Sequence, residues 1–231
     1  MKIEVVASGS KGNCYIVSDG VTKLLLDCGI SCRRILKALN WNTSAIKGCL
    51  VTHEHLDHIS AAKDLQYYGI PVYASVGTLL AGGIKGGYEI APKQLFSLGT
   101  FNIMPFDVQH DSAAPLGYFL KSEATNETLL YFTDTYYLKY CFGRLDYIIG
   151  ECNYDKEILA ENVAKGVLSQ KQADRIIRSH MSIDHLLAML NFNDLNNIKQ
   201  IYLAHLSDRN GNEADFKRRV QELTGAEVYV C

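Results

Sequence analysis

Between positions 53 and 58 the chain reads His53-Glu54-His55-Leu56-Asp57-His58, so three imidazoles and the Asp57 carboxylate fall within six positions, directly behind Gly48-Cys49-Leu50-Val51-Thr52. Side chains of this kind crowd together at a cost unless a cation holds them. Imidazole and carboxylate together suit zinc and neighbouring first-row ions, and the lack of thiolates among these positions argues against a structural zinc knuckle. The competing reading, a polar and solvated strand-to-helix turn, gives no reason for such density.

Other residues could serve chemistry in smaller ways. Asp27 follows Leu24-Leu25-Leu26 and precedes Cys28-Gly29, where a carboxylate could accept the second N–H of a ligating imidazole or simply shape a turn. The stretch Ser8-Gly9-Ser10-Lys11-Gly12-Asn13 could offer backbone N–H groups to a phosphate, and equally reads as a hairpin turn. His180, in Ser179-His180-Met181-Ser182, stands just before a predicted helix, where a side-chain donor and a helix N-terminus together favour an anion. His185 reads as an ordinary half-buried residue. The aromatics Tyr131, Phe132, Tyr136, Tyr137 and Tyr140 read chiefly as packing, with a base-stacking platform as the second possibility.

The elements that must position these residues follow from periodicity and turn signals. Short apolar runs at Ile3–Ala7, Cys14–Val17 and Lys23–Leu26 predict paired strands, and Ile35, Leu36 and Leu39 share one face of a helix beginning near Ser31. A buried strand over Gly48–Thr52 leads into His53, and a helix is expected over Ile59–Tyr68. A strand at Val72–Ala74, a helical core at Val76–Leu80 and a glycine-rich loop come next. Strands are predicted at Gln94–Ser97, Asn102–Val108, Gly117–Lys121 and Thr128–Phe132. From Asp146 onward strands and helices alternate: a strand to Gly150, helices over Ile158–Val163, Gln170–Ser179 and Ser182–Leu190, a strand at Gln200–Ala204, a helix at Glu213–Leu223 and a strand at Glu227–Val230. Mixed β runs followed by βα units predict α/β sheets covered by helices.

A chain of 231 residues with 48% hydrophobic and 21% charged residues can bury a full core, which excludes a disordered or fibrous protein. One domain over 1–231 is expected, with no linker, composition break or repeat. The net charge of −2 does not advertise a nucleic-acid partner, but each bound divalent cation would add local positive charge. The first residues carry no apolar run of signal-peptide length, and no segment approaches a membrane span of about 20 apolar residues, so a cytoplasmic protein is expected. Seven cysteines without paired spacing read as reduced thiols.

The pattern H-x-H-x-D-H after a hydrophobic strand resembles the signature of the metallo-β-lactamase superfamily, and further parts of that pattern occur in order: Asp27-Cys28-Gly29, the lone His110, Asp134 in Phe132-Thr133-Asp134-Thr135, and the late His205. Within the superfamily the chain is similar to the WalJ/YycJ-type branch of small nuclease-like hydrolases, through Ser8–Asn13, Glu151-Cys152-Asn153-Tyr154-Asp155, Ser179–Ser182 and Ala204-His205-Leu206-Ser207. The His180 segment also resembles the histidine-containing loop of the ribonuclease Z relatives.

This resemblance implies an αββα sandwich of two mixed sheets flanked by helices. It implies two divalent metal ions, zinc by default and manganese also accommodated. His53, His55 and His110 would hold one, Asp57, His58 and His205 the other, with Asp134 bridging. It further implies a phosphodiesterase, namely a DNA exonuclease with the 5′ end favoured, acting through a metal-bridging hydroxide with Asp57 and His180 as catalytic residues. The same metal pair would polarise a carbonyl, so a hydrolase of a lactone or thioester is the alternative. A non-catalytic module fits poorly with seven candidate ligands, a β-lactamase with the second-site pattern, and a flavin-dependent di-iron enzyme with His55, where Glu would be expected.

Overall fold

The computed structural model describes residues 1–231, whose contacts divide into two compact units: Met1–Asp107 with Ser112–Thr128, and Val108–Asp111 with Leu129–Cys231. No helix is long and apolar enough to cross a membrane. The thirteen strands form two mixed sheets, of orders β1-β2-β3-β4-β5-β6 and β13-β12-β11-β10-β9-β8-β7, and helices flank them.

In the first unit, β1 (Lys2–Ala7), β2 (Cys14–Ser18) and β3 (Lys23–Leu26) form an antiparallel meander. After α1 (Cys32–Ala38) the chain returns as β4 (Ile46–Leu50), parallel to β3, with Leu26 opposite Leu50. Both strands therefore end at the same level. Residues leaving β4 are delivered beside residues leaving β3, which is how sequence-distant Asp27 and Thr52 become neighbours. The helix predicted over Ile59–Tyr68 is instead two, α2 (Leu56–Ile59) and α3 (Ala62–Tyr67). A continuous helix would need Ala61 N–H to bond to Asp57 O. That carbonyl accepts from Asn13 N at 2.7 Å, and Ala61 N donates to Cys28 O at 3.0 Å.

Beyond α3 come β5 (Val72–Ala74) and α4 (Val76–Ala81), whose start Ser75 caps by accepting from Thr78 N. Just past the glycine-rich loop, Tyr88–Glu89 form a two-residue strand, β6, which pairs with β5 and which the sequence pattern does not assign. Antiparallel β7 (Phe96–Leu98), β8 (Phe101–Asp107) and β9 (Leu116–Ser122) complete the unit. Its core gathers Leu25, Ile35, Val51, Leu65 and Val72 around the buried thiols Cys14, Cys28 and Cys49.

The second unit is built on parallel strands: β10 (Thr128–Phe132), β11 (Tyr147–Glu151), β12 (Gln200–Ala204) and β13 (Glu227–Val230). β10 and β11 are buried along their whole length, as strands covered on both faces require. The helices α5 (Lys156–Ala164), α6 (Gln170–Ser179) and α7 (Ile183–Asn191) connect β11 to β12, and α8 (Glu213–Thr224) connects β12 to β13. Their starts carry side-chain caps at Asp155, Ser169, Ser182 and Asn212, so each break is written locally in the sequence. Phe132 pairs with Gly150 and Glu151 with Ala204, which places the C-terminal ends of β10, β11 and β12 along one edge. Such edges are where open α/β sheets place their functional groups.

Candidate metal centre

In the first unit the structure gathers His53, His55, Asp57 and His58 on the turn after β4. Asp27, fully buried at the end of β3, anchors the turn: Oδ1 accepts from Thr52 N at 2.7 Å, and both oxygens lie within 3.0 Å of Thr52 Oγ1. Its Oδ2 is 2.7 Å from His58 Nδ1. A carboxylate there holds the proton on Nδ1 and leaves Nε2 with the lone pair that a ligand needs, the support expected of Asp27. Thr52 Oγ1 lies 3.0 Å from His53 Nδ1. The strand expected to run to Thr52 ends at Leu50 because the Asp27 side chain takes over as partner of the Thr52 amide.

Two glycines make this turn possible. A Cβ on Gly29 would lie 1.7 Å from Asp57 O and 2.4 Å from His58 N, so the segment that follows β3 can approach the histidine turn only where it has no side chain. Gly12, at φ +137°, would meet Gly29 O at 2.2 Å in the same way. The Ser8–Asn13 loop is thus spent on packing: Asn13 N and Nδ2 both reach Asp57 O, at 2.7 and 3.3 Å, and Nδ2 lies 3.1 Å from His58 Nε2.

In the second unit His110, Asp134, His205 and His180 meet at the common edge of β10, β11 and β12. Asp134 lies two residues past β10, with Oδ2 at 3.6 Å from His110 Nε2 and Oδ1 at 3.6 Å from His205 Nδ1. His110 Nδ1 donates to Ser179 O at 3.2 Å, and burial, opposed by the charges of Asp134 and Asp111, lowers its pKa below that of an ordinary histidine. A neutral imidazole is the form that binds cations. Asn153 Nδ2 donates to His205 O at 2.8 Å, fixing that backbone. Asp27, Asp134 and His205 all adopt left-handed backbone, with φ of +55°, +48° and +55°. Non-glycine residues hold such conformations at a cost of about 1–3 kcal/mol each and concentrate at functional sites.

Glu151, the last residue of β11, belongs to the Glu151-Cys152-Asn153-Tyr154-Asp155 segment, whose spacing alone assigns it no role. Fully buried, it lies 2.6 Å through Oε1 from His180 Nδ1, while Oε2 accepts from Thr135 N at 2.8 Å and Met181 N at 3.2 Å. Burial alone would raise the Glu151 pKa, but the charge and hydrogen bond of His180 outweigh it and hold the carboxyl low. Burial alone would lower His180, and the Glu151 charge and hydrogen bond outweigh that, raising it. The two shifts run in the same sense, each favouring the charged form of its group. His180 stacks on His205, ring centroids 5.2 Å apart. Asp134, Glu151, His180 and His205 offer ligand atoms within 4.8 Å of one another. Of the amides expected to face an anion here, Met181 N serves Glu151 and His185 N serves Ser182 Oγ. His185 is half-buried and Nδ1 donates to Tyr136 O at 3.0 Å.

The donor sets fit divalent cations. His53 Nε2 and His55 Nδ1 are 3.1 Å apart, close to the roughly 3.3 Å between two nitrogens sharing a tetrahedral zinc. The Nδ1 atoms of His58 and His110 each face an oxygen, so Nε2 is the nitrogen that would meet a cation, and the carboxylates Asp57 and Asp134 add the negative charge that hard and borderline ions prefer.

Residues 7–131 match a family profile described as the metallo-beta-lactamase superfamily. The chain is 31% identical to the "Exodeoxyribonuclease WalJ" of Streptococcus pneumoniae serotype 2 over 99% of this chain and 90% of that protein. It is 33% identical to the "Exodeoxyribonuclease YycJ" of Bacillus anthracis over 92% of this chain and 85% of that protein. Among solved structures, the metallo-beta-lactamase fold protein YhfI from Bacillus subtilis superposes with a TM-score of 0.74 at 17% identity, over 99% of this chain and 95% of that one. With the histidine turn, its buried aspartate and the strand-edge residues in place, the chain belongs to the metallo-β-lactamase superfamily.

Proposed function

We propose that the chain is a metal-dependent phosphodiesterase acting on DNA as an exonuclease, with the 5′ end favoured, in the cytoplasm. The observation that carries the reading is the pairing of buried Glu151 with half-buried His180 beside Asp134 and His205, on a chain related over nearly its full length to two exodeoxyribonucleases. His53, His55 and His110 would hold one divalent ion and Asp57, His58 and His205 a second, with Asp134 available to both; zinc is the default and manganese is compatible with the same donors. Such ions, when bound, neutralise the non-bridging phosphate oxygens and acidify a water.

The chain's own residues do the rest. Glu151 holds the His180 imidazole in its charged form, and His180 gives a proton or a charged hydrogen bond to the oxygen that departs from phosphorus. Asp57, whose Oδ2 lies 3.5 Å from His58 Nε2, accepts a proton from the attacking water. Asp27 keeps His58 in one tautomer, and Asn153 keeps His205 in its left-handed pose. Incubation of metal-loaded protein with end-labelled DNA and RNA tests the reading; efficient turnover of a lactone or thioester with every nucleic acid left intact would replace it.

A further inference from the structure

We propose that a groove between the loop after Asp134 and helix α7 binds a nucleobase of single-stranded DNA flanking the cleaved phosphate. This subsite rests on the phosphodiesterase reading above. The groove is a cavity of about 250 Å³ whose lining includes Tyr137, Lys139, Tyr140, His185, Met189 and Phe192. Its two walls are the two segments that leave the strand-edge cluster: the loop starts at Asp134, and α7 starts three residues after His180. Tyr137 is three residues from Asp134, so their Cα atoms are at most about 11 Å apart. At the roughly 3.4 Å spacing of stacked nucleotides, that limit corresponds to no more than about three steps along a strand.

The groove is built and held. Cys141 Sγ donates to Phe192 O at 2.8 Å, Phe142 N donates to Asn193 Oδ1 at 2.7 Å, and His185 Nδ1 donates to Tyr136 O, so loop and helix are tied at both ends. Thr135 Oγ1 pins the loop further through Tyr137 O at 2.9 Å. Between these ties the aromatic rings remain in solvent: Tyr137 is 53% and Phe192 77% exposed. Lys139 Nζ lies 5.3 Å from the Tyr140 ring centroid, which sets a cation against an aromatic face. Exposed rings with an adjacent cation match an unpaired base and its phosphate, because every base has a π face and each nucleotide one negative charge. The chain's net charge of −2 makes such local recognition necessary, since a general basic surface is lacking.

The test measures binding of a fluorescent thymidine oligonucleotide, and of the same oligonucleotide with abasic sites, to wild type and to the Tyr137→Ala/Phe192→Ala double variant. Neither residue belongs to the metal or proton-transfer machinery. The expected result is that wild type binds the base-bearing strand about 5- to 150-fold more tightly than the abasic one, that the double variant loses this preference, and that Tyr137→Trp retains it. Hydrolysis of bis-p-nitrophenyl phosphate, which has no base, should stay unchanged. A double variant that keeps the preference, or a wild type that has none, overturns the subsite, as does light scattering showing that the double substitution only dissociates a dimer. Failure of the phosphodiesterase reading is distinguishable: wild type would then leave both oligonucleotides and the nitrophenyl ester uncut, whatever the binding preference.

Discussion

The carboxylate of Glu151 lies 2.6 Å from the Nδ1 of His180, fully buried at the end of a parallel strand and holding the one candidate catalytic histidine that lies outside both proposed ligand sets. The pair separates proton chemistry from metal binding, and the separation can be measured. His180→Ala should keep its metal and its fold while turnover falls by about 10²- to 10⁴-fold. Glu151→Gln, which keeps the shape and removes the charge, should lower kcat with little change in KM. Loss of metal from His180→Ala, read by elemental analysis, would move His180 into the coordination shell.

Asp27 is predicted to act through His58. Asp27→Asn preserves volume but cannot hold the imidazole proton as a carboxylate does, so metal affinity should fall by about 10- to 100-fold in a chelator competition. Unchanged affinity would reduce Asp27 to a turn residue that organises Thr52.

Gly29→Ala tests the close approach of the two strand ends. The added carbon would collide with Asp57 O and His58 N, which are backbone atoms that cannot swing away. A destabilisation of about 3 kcal/mol and loss of bound metal are expected from urea unfolding and metal analysis. Full stability would mean that the turn can move aside.

Away from the site, Asp19 braces the first unit. Its Oδ1 accepts from Val21 N and Thr22 N, while its Oδ2 accepts from the Thr100 and Ser122 hydroxyls. Burial would raise its pKa, but these bonds outweigh it and lower the carboxyl below the usual range. A lowered folded-state pKa gives stability that is present above the unfolded value of about 3.9 and is lost as pH falls through the folded value. Asp19→Ala should therefore cost about 1–3 kcal/mol at neutral pH, and the gap in Tm from wild type should narrow on acidification below about pH 4. A gap independent of pH would assign the loss to packing alone.

Much of this architecture is legible in the chain itself. The strands at Lys23–Leu26, Val72–Ala74, Thr128–Phe132, Gln200–Ala204 and Glu227–Val230 and the helix at Gln170–Ser179 fall where apolar period and caps put them. What escapes reading depends on partners distant in sequence. The break between α2 and α3 arises because Asn13 captures a carbonyl that local periodicity assigns to the helix, and β6 exists only because β5 lies beside it. At the site the histidine turn announces itself through residue type and spacing. Glu151 does not: a lone acidic residue ending an apolar strand gains meaning only when His180, 29 positions later, folds back onto it.

Metal-dependent DNA exonuclease chemistry is tested most directly by following 5′- and 3′-labelled DNA incubated with metal-saturated protein. The 5′ label should appear in the smallest products at the earliest times while the 3′ label persists on progressively shortening strands. Chelator and the Asp134→Ala substitution, which should impair both ions together, should each abolish the reaction. DNA that stays intact under saturating zinc or manganese would contradict the claim.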